Sequence, residues 1–348
     1  MNATLRDKFF GCIAGVHVGS AMGAPVEGWT YQRIEETYGT LDRLLPYYTG
    51  WRREPGTTED GVERQKLIIT AIDRKQGRIT AEDLRAAWVS DMNPKGAGVI
   101  SEPFEGELLA MAKTPIPARD LGRYCDYAGL VSFARSCHPI GLINAGDPES
   151  ARDDVLEVGQ VYQTSNSRGL QWASVTAVAI AEATNRDASV TSVIDAVFDT
   201  CGTTVLLELD RALQLTEKCG DFRELRKTFD DIYGGYGIPY AQSYANEVVT
   251  KAICIFRMVK GNLRDAIISG VNMGRDTDCI TAVAAGISGA LTGSRGLPEG
   301  WVKQVDHATS INPHTNSHRT IKEHSDALYN AFQTRTMKLN SYIERMRY

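Results

Sequence analysis

The chain has 348 residues, 43% of them hydrophobic and 23% charged, with a formal net charge of −5. That length can bury a large core, and the composition excludes a disordered chain. The acidic balance, without any Lys/Arg-dense stripe, excludes nucleic acid as the principal partner. Seven cysteines, at 12, 125, 137, 201, 219, 254 and 279, are scattered without Cys-x-x-Cys spacing. An odd, dispersed count fits a reducing, cytoplasmic setting better than a disulfide framework.

Residues 9–26 are apolar and follow Arg6 and Lys8, as in a signal peptide. Four glycines, His17 and Pro25 make the stretch a poor and short membrane span, so neither export nor a membrane partner is expected. Gly11, Gly15, Gly19 and Gly23 recur every four residues. On a helix they form one stripe, which predicts close approach of a second backbone. Pro25-Val26-Glu27-Gly28 then ends the helix and leaves Glu27 just beyond it. Residues 31–57, with Pro46, Gly50, Pro55 and Gly56, read as a long loop whose Tyr47, Tyr48 and Trp51 want burial or a ligand.

Thr57-Thr58-Glu59-Asp60 precedes Val62, Ile68, Ile69 and Ile72 at helical spacing. Thr57 and Asp60 have the spacing of a capping box. A second acidic helix start is expected at Asp276 and Asp278, which stand just before the small apolar run 279–293. One carboxylate there can serve as an N-cap, but two so close repel each other unless a cation neutralises them.

Between these two points the pattern is helical. A helix begins at Thr80 and runs through Trp88, residues 91–101 loop out, and Leu108 to Ala112 is helical up to Pro115. Residues 132–150 read as a polar loop carrying Arg135, Ser136, His138 and Asn144, and 163–169 as another. A lone histidine in a loop is more often solvated or structural than catalytic. Further helices are predicted from Trp172, over 189–200, 203–217 and 221–231, then over 244–259 after a glycine-tyrosine loop at 233–240, and over Leu263–Val271. No alternating run is long enough for a sheet, and no repeat has a constant period. The expectation is an all-α fold, a compact multi-helix orthogonal bundle forming a single domain over 1–348.

Three anchors, in order and spread over nearly the whole chain, carry a resemblance. They are Gly23-Ala24-Pro25-Val26-Glu27, Thr58-Glu59-Asp60 at a helix start, and Asp276-Thr277-Asp278 before the small-residue helix. Together they resemble the ADP-ribosylglycohydrolase family, whose corresponding segments read Gly-Ala-Pro-Val-Glu, Thr-Asp-Asp and Gly-Gly-Asp-Thr-Asp-Thr. The resemblance implies an all-helical enzyme that removes ADP-ribose from modified side chains with a pair of Mg²⁺ ions. By position, Thr58, Glu59, Asp60, Asp276 and Asp278 are the implied metal ligands. Glu59, Asp60, Asp278 and a movable Glu27 are the implied catalytic carboxylates. Mg²⁺ takes such hard oxygens, and carboxylates beside a ribosyl C1–N bond stabilise an oxocarbenium-like state and guide water.

The chain departs from that pattern in several places. Glu59 replaces an aspartate, Ser20 an aspartate, Arg275 a glycine and Cys279 a threonine that supplies a metal-ligand hydroxyl. Arg275 is thereby expected to set a cation beside the acidic pair. Loop 132–141 lacks the family's Asn-Gly-Ala-Met-Arg pattern. The candidates for substrate contact are Arg135, Ser136, His138 and Gly141, with Asn166 of the second polar loop. Three readings follow: a hydrolase of ADP-ribosyl conjugates, a hydrolase of a smaller N-riboside, and a catalytically weak, crystallin-like or binding protein of the same fold.

Overall fold

The computed structural model describes residues 3–96, 103–125, 127–234 and 241–347. Residues 97–101 of the first expected loop and 235–240 of the glycine-tyrosine loop lie outside them. Apolar residues at helical spacing become helices almost throughout. The first part comprises α1 (Leu5–Gly23), a 3-10 turn (Ala24–Val26), α2 (Tyr31–Tyr38), α3 (Asp60–Lys75) and α4 (Ala81–Asp91). The middle comprises α5 (Pro103–Ala112), α6 (Ala118–Leu121), α7 (His138–Ile143), α8 (Pro148–Val158), α9 (Arg168–Ala183), α10 (Val190–Thr200), α11 (Thr203–Thr216) and α12 (Phe222–Tyr233). The remainder comprises α13 (Ala245–Met258), α14 (Leu263–Val271), α15 (Thr277–Thr292), α16 (Glu299–Ile311) and α17 (Ile321–Met346). The only sheet among the described residues is a two-residue hairpin, β1 (Tyr47–Tyr48) antiparallel to β2 (Arg52–Arg53). The all-α expectation is borne out.

The glycine stripe of α1 explains how the centre is built. A Cβ at Gly11 would stand 2.4 Å from the Gly293 carbonyl carbon, one at Gly15 2.6 Å from the Ala285 oxygen, and one at Gly23 2.6 Å from Asp278 N. Ascending residues of α1 therefore meet descending residues of α15, and the two helices lie antiparallel at a separation only glycine allows. Phe9, Ile13, Val16 and Val18 are fully buried around this contact, each contributing about 1.5–3 kcal/mol. By length and composition α1 could cross a membrane, but the fold packs it on nearly all sides. At the site end, Thr277 Oγ1 donates to the Gly23 carbonyl at 2.8 Å, so the C-terminus of α1 is tied to the N-terminus of α15.

Two expected loops are corrected. Residues 31–57 contain α2, capped by Thr30, and the β1–β2 hairpin. Residues 132–150 are no polar loop: Ser132, Phe133, Ser136, Cys137 and His138 are all buried, and α7 and the start of α8 lie within the stretch. Pro139 and Pro148 each sit in the first turn of a helix, where the missing N–H costs nothing.

Candidate functional site

Many helix starts among the described residues are capped by a side chain, as Thr80 with Asp83 and Thr320 with Glu323 show in full capping boxes. The two acidic starts are exceptions. Glu59 is the N-cap of α3 and Asp276 the N-cap of α15, and neither side chain accepts a capping bond. The expected Thr57–Asp60 box does not form, because Thr57 Oγ1 donates to the Glu54 carbonyl at 2.8 Å instead. Both helices leave their acidic groups free for something other than capping.

The segment after α1 brings these starts together. Gly28 N–H donates to the Arg275 carbonyl at 2.8 Å and Arg275 N–H to the Trp29 carbonyl at 2.7 Å. That clamp sets Glu27 among Asp276, Glu59 and Asp60. Ser20, standing where an aspartate was expected, accepts the Glu59 N–H at 3.2 Å and fixes the start of α3.

Within the cluster the carboxylates divide into two kinds. Glu59 Oε1 accepts from Tyr47 Oη at 2.6 Å and Arg53 Nη1 at 2.8 Å. Asp60 Oδ2 accepts from Arg135 Nη2 at 2.6 Å. Burial raises the Asp60 carboxyl, but Arg135, Arg64 and the Gly61 N–H outweigh it and hold it below the usual range. By contrast, both oxygens of Asp276 and Oδ1 of Asp278 are buried with no hydrogen-bond partner among the described residues. Loss of water and then Glu27 and Asp276 push the Asp278 carboxyl far up. Glu27 is exposed at the edge of the cluster. Its carboxyl still rises to about 8, first from lost hydration and then from Asp276, Glu59 and Asp60.

Orphaned buried carboxylates are costly unless paired or bound to a metal. Side-chain ligand atoms of Asp276, Asp278 and Cys279 fall within 4.8 Å of one another. Carboxylate oxygens suit Mg²⁺, whereas the Cys279 thiol does not. The donors of the Asp276–Asp278 side thus fit a hard divalent cation. Thr58 is buried at the start of α3 with Glu59 and Asp60.

Arg275 does not sit beside the acidic pair. Its backbone is left-handed, φ 67°, the conformation that glycine adopts without strain at this position. Its guanidinium turns away and grips Glu247 at 2.7 and 3.0 Å, an ion pair that offsets the strain. Of the expected substrate contacts, only Arg135 reaches the cluster. Ser136 Oγ donates to the Ser132 carbonyl at 3.1 Å. His138 is buried in the core behind the site, bonded through Nδ1 to Gln65 at 3.3 Å, and desolvation drops its pKa to about 3. A Cβ at Gly141 would meet the Ala177 carbonyl at 2.8 Å, so this glycine serves packing against α9. Asn166 is exposed and makes no recorded contact with the cluster.

Arg53 and Tyr47 were missed as site residues. Only the demand of the 47–51 aromatics for burial pointed to that hairpin. A cleft of about 850 Å³, lined by Asp7, Lys8, Arg186 and Arg295, lies at the opposite end of α1 and shares none of these groups.

The ADP-ribosylglycohydrolase family model matches residues 1–337. The chain belongs to the ADP-ribosylglycohydrolase family. It is 24% identical over 314 residues to the ADP-ribosyl-[dinitrogen reductase] glycohydrolase of Rhodospirillum rubrum, covering 87% of this chain and 92% of that one. It is 23% identical over 309 residues to an uncharacterized protein of Archaeoglobus fulgidus, covering 86% and 92%. A solved ADP-ribosylglycohydrolase-related protein complex superposes with a TM-score of 0.61 at 16% identity, covering 95% of this chain and 98% of that one. The fold is therefore the ADP-ribosylglycohydrolase fold, and family membership supports a glycohydrolase of the ADP-ribosyl kind.

Proposed function

We propose that this protein is a Mg²⁺-dependent glycohydrolase that cleaves the bond between C1 of an (ADP-)ribose and a nitrogen of a modified side chain or related conjugate. The observation that carries this reading is the set of three buried, unpartnered carboxylate oxygens on Asp276 and Asp278. Those two residues would hold the metal. A bound Mg²⁺ supplies a positive centre that orients ribose hydroxyls and lowers the pKa of coordinated water.

The chain's own groups supply the rest. Glu27 is solvent-accessible beside Asp276, Glu59 and Asp60, a position that suits a group that accepts a proton from attacking water. Asp60, held ionised by Arg135, contributes negative charge beside a developing oxocarbenium ion. Glu59 acts as a positioning residue, anchoring the start of α3 to the hairpin through Arg53 and Tyr47.

One observation favours the smaller N-riboside as a second reading. The loop expected to contact ADP-ribose places Ser136, His138 and Gly141 in the core, and Arg135 bonds to Asp60 and Cys279. The 132–141 segment thus offers little for a diphosphate, which calls for charged or bidentate donors.

Incubation with ADP-ribosyl-arginine and with simple N-ribosides, with Mg²⁺ and after chelation, tests both readings. The expected result is Mg²⁺-dependent release of a ribose-containing product, abolished in Asp276→Asn. Chelator-insensitive release would remove the metal mechanism. Inactivity on every riboside, with no Mg²⁺ binding by calorimetry, would leave the non-enzymatic reading of the fold.

A further inference from the structure

We propose that the Arg135 guanidinium stands in for one of the two cations, so that the protein binds a single divalent ion, held by Asp276 and Asp278. The inference rests on the metal-dependent reading above and departs from the two-ion site that the family resemblance implies.

Arg135 spans the two acidic helix starts. Its Nη2 donates to Asp60 Oδ2 at 2.6 Å and its Nη1 to Cys279 Sγ at 3.2 Å. Both acceptors occupy positions where metal ligands were expected, and the side chain is 7% exposed. The seat is built for it: a Cβ on Gly61 would stand 2.9 Å from Arg135 Cδ and 3.0 Å from Cγ. The glycine in the first turn of α3 thus gives the arginine room to lie across it.

Glu59, the other carboxylate at the start of α3, is also engaged through one oxygen. It is paired with Arg53 at 2.8 Å and bonded to Tyr47 at 2.6 Å. Cys279 replaces a hydroxyl with a thiol, which binds Mg²⁺ poorly but accepts a bond from a guanidinium. Among the buried carboxylates of the cluster, what remains is the pair Asp276 and Asp278, with three oxygens lacking partners, while Glu27 stands exposed beside them. Two carboxylates balance one divalent ion. A second ion would stand next to a fixed guanidinium, with repulsion in place of ligands. Glu63 and Glu105, the other buried carboxylates on and against α3, are engaged by Lys66 at 2.7 Å and Arg64 at 2.9 Å.

The test counts ions rather than turnover. Chelator-treated full-length protein is titrated with Mn²⁺ and the bound metal measured by elemental analysis and by electron paramagnetic resonance. One equivalent per chain, with the six-line signal of an isolated ion, is expected. Asp276→Asn should bind none, Asp60→Asn should still bind one, and Arg135→Met should take up a second ion that couples magnetically to the first. Two equivalents in the unmodified protein would overturn the inference while leaving the metal-dependent reading intact. Zero equivalents would overturn both. Loss of the ion in Asp60→Asn would also overturn it, and because the unmodified protein alone decides the count, a misfolded Arg135→Met does not spare it.

Discussion

Gly23 of α1 lies so close to Asp278 of α15 that a Cβ on the glycine would stand 2.6 Å from both the Asp278 Cα and its backbone nitrogen. The acidic pair is thus seated directly on the end of the glycine stripe. Gly23→Ala should destabilise the fold by about 1–3 kcal/mol or more through overpacking, and should weaken divalent-cation binding by pushing Asp278 out of place. Gly77, where a Cβ meets nothing within 4 Å, supplies the control: Gly77→Ala should change stability by no more than about 0.5 kcal/mol. Urea unfolding of the two variants measures the contrast.

Asp276 predicts a reversal of sign. Without metal, its two buried oxygens lack partners, so Asp276→Asn removes an uncompensated charge and should raise stability by about 1–3 kcal/mol. With Mg²⁺ at about a hundred times its dissociation constant the unmodified protein should gain about 2.7 kcal/mol and the variant nothing. Thermal unfolding with chelator and with Mg²⁺ should therefore rank the two proteins in opposite orders. The same order in both conditions would count against Asp276 as a ligand.

The Arg53–Glu59 pair ties the hairpin to the start of α3, with both side chains at least nine-tenths buried and 2.8 Å between Nη1 and Oε1. Removing one partner strands the other, so Arg53→Ala should cost about 3–5 kcal/mol. The double variant Arg53→Ala/Glu59→Ala should cost less than the sum of the single ones, with a coupling of about 0.5–3 kcal/mol. Additive losses would show that the two residues do not act as a pair.

Three buried histidines govern the acid side. His17 and His138 flank Gln65, at 3.2 and 3.3 Å, and His324 packs against the His17 ring. Desolvation lowers the first two to about 3 and moves His324 well below its ordinary value. An unfolded chain binds these protons below about pH 6.5 while the folded one refuses them. Stability is therefore present above pH 6.5 and falls as the pH drops toward 3, by about 1.4 kcal/mol per pH unit for each histidine. His17→Gln should flatten the slope of unfolding free energy between pH 6 and 4 by that amount, which denaturant melts at stepped pH can read.

Much of the helical frame could be read from periodicity, because helices such as α4, α10 and α14 carry apolar spacing and a capping residue. The stretches read wrongly were short or polar in local composition. α2 buries only Ile34 of its eight residues, too little to give an apolar stripe. The 132–143 stretch looks polar, yet Ser136 satisfies itself on its own backbone and His138 through Gln65. Neither pairing can be seen without the packing. Arg275 was expected beside the acidic pair because it adjoins Asp276 in sequence, and its left-handed backbone sends the side chain elsewhere.

By itself, the sequence determined which helices could approach closest and where negative charge would gather. Glycines four apart allow backbone contact whatever their neighbours are, and acidic helix starts are marked by local composition. Tertiary structure alone decided which carboxylates stay unpaired. That depends on which cations arrive from elsewhere: Arg53 from the hairpin reaches Glu59 and Arg135 from the segment before α7 reaches Asp60, while no side chain of the described residues bonds to Asp276. The charge state of a buried group is set by its neighbours in space, which chain order does not specify.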